Sequence, residues 1–218
     1  VGTPERHPMQ FIAEILREEG WDGRTIGVEM DEYYFTARCY EVLRRELPEA
    51  DFRDAGLLVN WIRLVKSPQE LQYMREAGEI ATRTIQAALD GIEPGVRQST
   101  PVSALYAAQI AGTDAFGGDY SCKPPITGTG ARSETVHLTW EDKLHQEGET
   151  TWIETAGCRH HYHAPISRTI HLGTPPESMQ NRAMAAADGL AAVLDAARPG
   201  AICADLEAAW RRAAAPRG

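Results

Sequence analysis

The sequence lacks the features that would point to a membrane or to a secreted protein. No apolar run approaches the roughly 18 residues that a membrane-spanning helix needs. The first residues also lack the pattern of positive charge followed by an apolar stretch that marks a secretory signal. We therefore predict no membrane partner and a cytoplasmic location.

Concentrated positive charge is also missing. The formal net charge is −9, and acidic and basic residues are mixed along the chain rather than collected into runs. Because phosphate binding needs a concentrated basic face, this balance argues against a nucleic-acid partner.

Cysteines are few, and no two of them form a C-x-x-C pair. The four residues, Cys39, Cys122, Cys158 and Cys203, lie far apart in the sequence. Such spacing is typical of buried, reduced thiols in a cytoplasmic protein rather than of a disulfide framework.

The first sixty residues alternate between helical and extended patterns. Apolar spacing predicts helices over residues 9–19 and 32–47, and short apolar runs predict strands over residues 25–30 and 51–59. This alternation indicates part of an α/β domain. A complete domain would need more strands, so we expect the chain to begin inside one.

The pattern changes after residue 62. The stretch KSPQEL offers Ser67 as N-cap, Pro68 at the first helical position and Glu70 to close a capping box, which predicts a helix through Leu89. A second helix should follow, capped by Ser99 or Thr100. Composition then predicts strands and loops over residues 115–173 and helices after them.

An internal repeat joins the two helical regions. Pro94 aligns with Pro199 and Gly95 with Gly200, a shift of 105 residues that predicts a recurring helix–turn–helix. Alanine-rich helices joined by Pro-Gly turns also resemble one another without being repeats, and this alternative stays open. If the repeat is real, the strand-rich segment that follows its first copy has no counterpart before Gly218, and we expect a truncated protein.

The stretch GETTWIETAGCRHHYHAPISRTIHLG concentrates the polar chemistry of the chain. It predicts two strands joined near Gly157 and Cys158, with side chains alternating between the two faces. Pro165 cannot donate to a strand ladder and indicates a bulge or an edge. Titratable groups on both faces make a poor core, so we expect one face to border a cavity. The predicted faces are Trp152, Glu154 and Ala156 on the first strand, and on the second Arg159, His161 and His163 opposed to His160, Tyr162 and Ala164.

Three interpretations of this cluster remain open from the residues alone. His161 and His163 at i, i+2 could bind a zinc-type metal with Glu154 as third ligand. A carboxylate and a histidine could instead catalyse a reaction without metal. Lastly, each histidine could simply be a solvated strand residue.

Several motifs resemble the creatinase/aminopeptidase-P family, which has the pita-bread fold. They are WIRLVKSPQELQYMREAGEIATRTI, SETVHLTWEDKLHQEGE and SRTIHLG, and the resemblance covers essentially the whole chain. It implies an α+β protein with residues 1–62 as the C-terminal part of the α/β N-terminal domain. Residues 63–218 would be the first half and the start of the second half of the pita-bread domain. The internal pseudo-twofold of that fold agrees with the repeat.

One departure from the family concerns its metal ligands. In the metallopeptidases of the family the hairpin reads D-x-G followed by S-D-I-T-R-T, and its two aspartates bind a pair of metal ions. Alignment on Arg168 and Thr169 places Pro165 at the second aspartate and Glu154 at the first. Because proline has no ligand atom, we predict no metal and no cofactor.

The motifs ETAGCRHHYHAP-SRT, HLTWED and FGGDY most resemble the ectoine hydrolases, a metal-free branch. This resemblance implies hydrolysis of the cyclic amidine ring of ectoine to N-acetyl-diaminobutyrate, and therefore a small-molecule substrate. Family members are commonly dimers, so we expect a homodimer. The alternatives are an Xaa-Pro dipeptidase-like metallopeptidase and a catalytically inactive truncated homologue.

The residues that would carry this chemistry follow from its electrostatics. A protonated amidine carbon is already electrophilic and needs a carboxylate partner rather than a Lewis acid. Glu154 would be that partner and the candidate nucleophile. The resemblance places His137 at the active-site histidine of the family, as proton donor and acceptor.

Further candidates would complete the pocket. We expect His163, as a third catalytic residue, and His161 to line the cavity beside Glu154. Arg159 or Arg168 would bind the substrate carboxylate through a bidentate pair. Asp119 and Tyr120 are expected at the substrate pocket.

Overall fold

A computed structural model describes residues 6–217 of the chain. They belong to two compact units that meet between Ser67 and Pro68 in the sequence. No helix of this described part is long and apolar enough to cross a membrane.

The described part of the first unit, residues 6–67, contains two parallel strands and three helices. Strands β1 (Thr25–Val28) and β2 (Asp51–Asp54) pair in parallel, and helices α1 (Pro8–Glu18), α2 (Ala37–Glu46) and α3 (Leu58–Ile62) accompany them. Its core is formed by Ala13, Val28, Leu43 and Leu47. The predicted helix–strand alternation is therefore confirmed.

Two predicted boundaries in this unit are wrong. Helix α2 begins only after Thr36, whose hydroxyl accepts a hydrogen bond from the Cys39 amide and so caps the helix. The predicted strand over residues 51–59 ends at Asp54, because its carboxylate accepts from the Gly56 amide and turns the chain. The apolar run after that turn forms α3 instead of a strand.

The second unit is built on a three-stranded antiparallel sheet of order β3-β4-β5. The strands are β3 (Ile126–Thr129), β4 (Thr150–Arg159) and β5 (Tyr162–His171), and a short 3-10 helix (Gly130–Glu134) follows β3. The helices are α4 (Pro68–Leu89), α5 (Ser99–Ala111), α6 (Glu177–Ala196) and α7 (Cys203–Ala214), with a final 3-10 turn (Ala215–Arg217).

The predicted cap of α5 is wrong. Neither Ser99 nor Thr100 caps the helix, because Gln98 holds the N-cap position and makes no side-chain bond to the helix. Its side-chain oxygen accepts from the Glu141 amide instead, which ties the loop before β4 to the start of α5.

Helix α4 lies against one face of the sheet. The core there joins helix residues Ile85 and Ala88 to Leu105 of α5 and Ile153 of β4. Gly157 permits the close approach: a Cβ at this position would lie 2.0 Å from the Ala77 carbonyl oxygen of α4. The opposite face of the sheet carries Trp152, Glu154 and Ser167.

The predicted helix–turn–helix repeat is present in the structure. Helices α4 and α5 recur as α6 and α7, and the two connecting turns place Gly95 and Gly200 at φ of 85° and 90°. Glycine suits both turns because residues with a Cβ rarely adopt positive φ.

All four cysteines are free, as expected, but their predicted burial is only partly correct. Cys158 is buried and Cys39 is half-buried. Cys122 and Cys203 are exposed, because Cys122 lies in the loop before β3 and Cys203 begins α7 at the surface.

Candidate active site

The polar hairpin turns three residues later than its glycine suggests. Arg159 pairs with Tyr162, so His160 and His161 form a two-residue turn between β4 and β5. Both have positive φ, 49° and 63°, as a type I′ turn requires. The predicted turn near Gly157 and Cys158 is wrong, because Gly157 serves the contact with α4.

The strand register corrects the predicted faces. Glu154 lies opposite Ser167, and Cys158 lies opposite His163, so these side chains share one face. Arg159 pairs with Tyr162 and Arg168 with Ile153, on the face that packs against α4. The prediction that Arg159 or Arg168 reaches the substrate beside Glu154 therefore disagrees with the register.

Arg159 instead joins the hairpin to α4. Its Nε donates to Glu76 Oε2 at 2.9 Å, one terminal nitrogen donates to the Gly117 carbonyl, and its guanidinium lies over the ring of Phe116. The hydrogen bond from Arg159 holds the pKa of the Glu76 carboxyl below its usual range. Beside this pair, the Tyr162 hydroxyl donates to Glu70 at 2.8 Å.

A cleft with a cavity volume of about 850 Å³ lies over the Glu154 face of the sheet. The sheet contributes its floor, the segment after β3 one wall and α6 another. The Trp152 indole is fixed there by donating to the Ser133 carbonyl at 3.1 Å. The lining residues are Ser133, Glu134, Val136, His137, Thr150, Trp152, Glu154, Ser167, Thr169, Met179, Arg182, Ala183 and Ala186.

Glu154 meets a cation that the sequence did not single out. The Lys123 ammonium lies 2.5 Å from Glu154 Oε1, and both side chains are about one-third exposed. Lys123 reaches this position because Ile126, three residues further on, pairs with Glu154 in the β3–β4 register. A lysine in the loop segment CKPP carries no sequence signal for this contact.

His137 lines the same cleft as Glu154. It is exposed and follows the 3-10 helix, and its φ of 60° is unusual for a residue with a Cβ. The next residue anchors the segment, since the Leu138 carbonyl accepts from the Thr127 amide of β3 at 2.8 Å. His137 and Glu154 thus line one cleft, and their catalytic roles stay predictions.

The remaining candidates collect at the turn of the hairpin. His163 lies opposite Cys158, four residues along β4 from Glu154, a separation of roughly 13 Å. Its Nε2 accepts from the Cys122 amide at 3.2 Å. His161 is exposed in the turn, with its ring 6.3 Å from that of Tyr120.

Asp119 belongs to the same region. Its amide donates to the Cys158 carbonyl, and its negative charge adds to burial in raising the pKa of the Cys158 thiol. The cleft lining does not include His161, His163, Asp119 or Tyr120. The expectation that His161 and His163 border the cavity beside Glu154 is therefore wrong, because the turn lies at the far end of the strands.

Pro165 interrupts the donor set that two metal ions would need. It lies opposite Ala156 on the Glu154 face and offers no ligand atom there. Glu154 is already paired with Lys123, and within residues 6–217 no three His, Cys, Asp or Glu side chains form a group that could hold a metal ion. The residues of this hairpin do not fit a two-metal site.

The register through Pro165 is continuous, so the expected alternative of a bulge is wrong and that of an edge is correct. β5 is the outer strand of the described sheet. On the other side of β4, the pairing with β3 extends only as far as Glu154. The Ala156 carbonyl therefore accepts a hydrogen bond from the Gln109 side-chain amide, at 2.5 Å, instead of from β3.

Comparison with known proteins identifies both units. Residues 72–218 match Metallopeptidase family M24, and residues 4–65 match the creatinase/prolidase N-terminal domain. The ectoine hydrolase of Halomonas elongata is 44% identical over 212 residues, which cover 94% of this chain and 53% of that protein. An uncharacterized hydrolase/peptidase of Sinorhizobium fredii is 43% identical over 218 residues, or 100% of this chain and 56% of that protein.

Solved structures agree with this assignment. The prolidase from Pyrococcus furiosus superimposes with a TM-score of 0.78 at 23% identity, covering 96% of this chain and 58% of that one. The chain spans about half the length of the curated relatives it matches. The chain belongs to metallopeptidase family M24, and over the part that it spans it has the pita-bread fold.

Proposed function

We propose that the protein carrying this chain is a hydrolase that opens the cyclic amidine ring of ectoine to N-acetyl-diaminobutyrate without a metal ion. The observation that carries the proposal is that Glu154 is the carboxylate which the hairpin supplies to the cleft, while Pro165 stands in that hairpin in place of a second acidic ligand. The 44% identity to the ectoine hydrolase of Halomonas elongata supports the substrate.

Glu154 first recognises the ring. A protonated amidine is a planar cation, and a carboxylate forms strong charge-assisted hydrogen bonds with its two N–H groups. In the cleft without substrate, the Lys123 ammonium forms an ion pair with this carboxylate. Substrate binding therefore exchanges one cation for another beside Glu154, and no carboxylate is left unpaired.

Glu154 then acts as the nucleophile. Its carboxylate oxygen adds to the carbon between the two ring nitrogens, and the C=N electron pair moves onto nitrogen. His137 donates a proton to one ring nitrogen as its C–N bond breaks, which opens the ring and leaves the former amidine carbon bound to Glu154.

Water completes the reaction. The neutral imidazole of His137 takes a proton from a water molecule as its oxygen adds to the same carbon. Collapse of this adduct releases the Glu154 carboxylate and an acetamide group. The sum is one ring plus one water, giving one N-acetyl-diaminobutyrate, and the histidine returns to its starting protonation state.

The test is incubation of the purified protein with ectoine, followed by proton NMR of the ring and acetyl signals. We expect the ring signals to disappear as those of N-acetyl-diaminobutyrate appear. Hydrolysis of Xaa-Pro dipeptides together with two bound divalent ions per chain would favour the metallopeptidase alternative instead. Binding of ectoine without turnover would indicate an inactive homologue.

The biological setting is part of the same proposal. We propose a cytoplasmic homodimer that acts on a small-molecule substrate and binds neither membrane nor nucleic acid. Light scattering of the eluted protein measures the dimer directly, and a monomeric mass with full activity would contradict it.

A further inference from the structure

The proposed substrate carries a second charge that Glu154 cannot recognise. Ectoine has a carboxylate on the same ring as its cationic amidine, so a specific site needs a cation at a fixed position relative to Glu154. Arg159 and Arg168 do not meet this need, because the β4–β5 register places both on the α4 side of the sheet.

Arg182 is the arginine that lines the Glu154 cleft. It lies on α6 together with the other cleft residues of that helix, Met179, Ala183 and Ala186. The spacing i, i+3, i+4 and i+7 places these four on one face of the helix. The small alanines leave room beside the guanidinium.

Helix α6 holds this face against the sheet at its first turn. The Thr150 hydroxyl of β4 donates to the Met179 sulfur at 3.7 Å, and both residues line the cleft. Arg182 lies one turn further along the helix, so its backbone position is set by the same contact.

The Arg182 guanidinium also has no binding partner among the described residues. Across the described range its side chain makes no hydrogen bond, ion pair or ring contact, whereas Lys123 is held by Glu154. An exposed arginine without a partner gains most from a ligand carboxylate, since the guanidinium fork matches both carboxylate oxygens.

We propose that Arg182 binds the carboxylate of the substrate while Glu154 holds the amidine, so that the cleft selects cyclic amidines bearing a carboxylate. This inference rests on the proposed function. The carboxylate of ectoine is not attached to the carbon that reacts, so Arg182 should act on binding more than on the chemical step.

The experiment compares Arg182→Gln with the unchanged protein on ectoine and on the same cyclic amidine without its carboxylate. We expect Arg182→Gln to raise KM for ectoine roughly 10-fold to 100-fold with little change in kcat. For the analogue, both proteins should have the same KM. Arg182→Lys should recover part of the loss, because it keeps the charge but not the fork.

The matched control is Arg75→Gln, which removes an exposed arginine from α4 on the other side of the sheet and should leave both KM values unchanged. An unchanged KM for ectoine in Arg182→Gln, or an equal loss on both substrates, would overturn the role of Arg182. A raised KM in Arg168→Gln with no effect of Arg182→Gln would assign the carboxylate to the other face.

Calorimetric binding separates this inference from the proposed function. If the unchanged protein binds ectoine without opening it, the catalytic proposal fails, and Arg182→Gln must still weaken binding by the same factor. If the unchanged protein does not bind ectoine at all, both proposals fail.

Discussion

The proposed mechanism gives Glu154 two roles that a neutral side chain of the same shape cannot fill. Glu154→Gln keeps the size of the residue but removes the charge that pairs with the amidine and the oxygen that attacks it. We expect the ring-opening rate, measured by NMR, to fall by roughly 10³-fold or more.

Folding should survive this change. Glu154 and Lys123 are about one-third exposed, so their ion pair contributes about 1 kcal/mol or less to the free energy of unfolding. Thermal unfolding followed by circular dichroism provides the control. Wild-type turnover in Glu154→Gln would remove this carboxylate from the mechanism.

His137, the proton donor of the proposed mechanism, has an unfavourable backbone conformation. Its φ of 60° costs about 1 kcal/mol for a residue with a Cβ, and such strain is concentrated at functional sites. We expect His137→Gly to unfold at a higher temperature by roughly 2 to 4 °C while losing most activity.

The matched variant is His137→Asn, since asparagine tolerates this conformation but cannot transfer a proton near neutral pH. Both variants should be slow, and both should lose the part of the pH–rate profile that reports a histidine. An unchanged profile in His137→Asn would show that another group carries the proton.

Lys123 and Arg182 explain why the site could be predicted only in part. Glu154 and His137 lie in motifs that resemble a family, and the structure brings them to one cleft. Lys123 reaches Glu154 only through the pairing of β3 with β4, and Arg182 only through the position of α6. Neither contact is local in sequence, so no spacing rule could identify it.

At the scale of elements, Gly157 determines how closely α4 approaches β4. A Cβ there would lie 2.0 Å from the Ala77 carbonyl oxygen and 2.4 Å from the Ala81 nitrogen, and a helix backbone cannot move locally to make room. We expect Gly157→Ala to lower the free energy of unfolding in urea by about 3 kcal/mol or more.

The control for this prediction is Gly78→Ala in α4, where an added Cβ meets nothing within 4 Å. Alanine favours the helix interior, so this variant should be as stable as the wild type or more stable by up to about 1 kcal/mol. Equal effects of the two substitutions would contradict the close approach at Gly157.

Gly157 is also the reason that the hairpin turn was predicted at the wrong position. Glycine is a common turn residue, so the hairpin was predicted to reverse at Gly157 and Cys158, whereas it reverses at His160 and His161. Arg159 therefore lies at the end of β4, before the turn, and not on the same strand as His163. It is five residues from Glu154, and this odd separation along one strand places it on the opposite face from Glu154 and His163. Local propensity cannot distinguish a glycine needed for a turn from one needed for helix contact.

His145 links stability to pH at the loop that precedes β4. It is buried, its Nδ1 lies 3.4 Å from the Thr151 hydroxyl, and its amide donates to the Val96 carbonyl. Burial lowers its pKa below the ordinary 6.5, although the charge of Glu149 acts in the opposite direction.

The sign of this effect follows from linkage. Below about pH 6.5 the unfolded chain binds a proton at this residue and the folded protein does not, so the free energy of unfolding falls as pH falls through that window. We expect the free energy of unfolding, measured in urea, to depend less steeply on pH for His145→Gln than for the wild type. Identical slopes would show that His145 is not the linked group.

For the whole molecule, the proposed chemistry needs no metal ion. The hairpin lacks a carboxylate at Pro165, so we expect dialysis against a chelator to leave the rate of ectoine ring opening unchanged. Elemental analysis of the active protein should find less than one divalent ion per chain. Loss of activity on chelation, with recovery on adding a divalent ion, would revive the metallopeptidase alternative.

The overall architecture was the most predictable level, because it depends on long periodic patterns. The repeated helix–turn–helix followed from Pro94 and Pro199, and both copies are present. Short apolar runs were less informative: residues 57–59 looked like strand but form the start of α3 and its preceding turn, since an Asp54 turn intervenes.

The two-histidine turn also bears on how the chain folds. A hairpin closed by Asn-Gly forms readily on its own, whereas His160 and His161 must both adopt a conformation that residues with a Cβ disfavour. The ring of His160 lies 4.5 Å from that of Tyr73 on α4, a contact between residues distant in sequence. The conformation of this turn is therefore held in part by its contact with α4, and not by the turn residues alone.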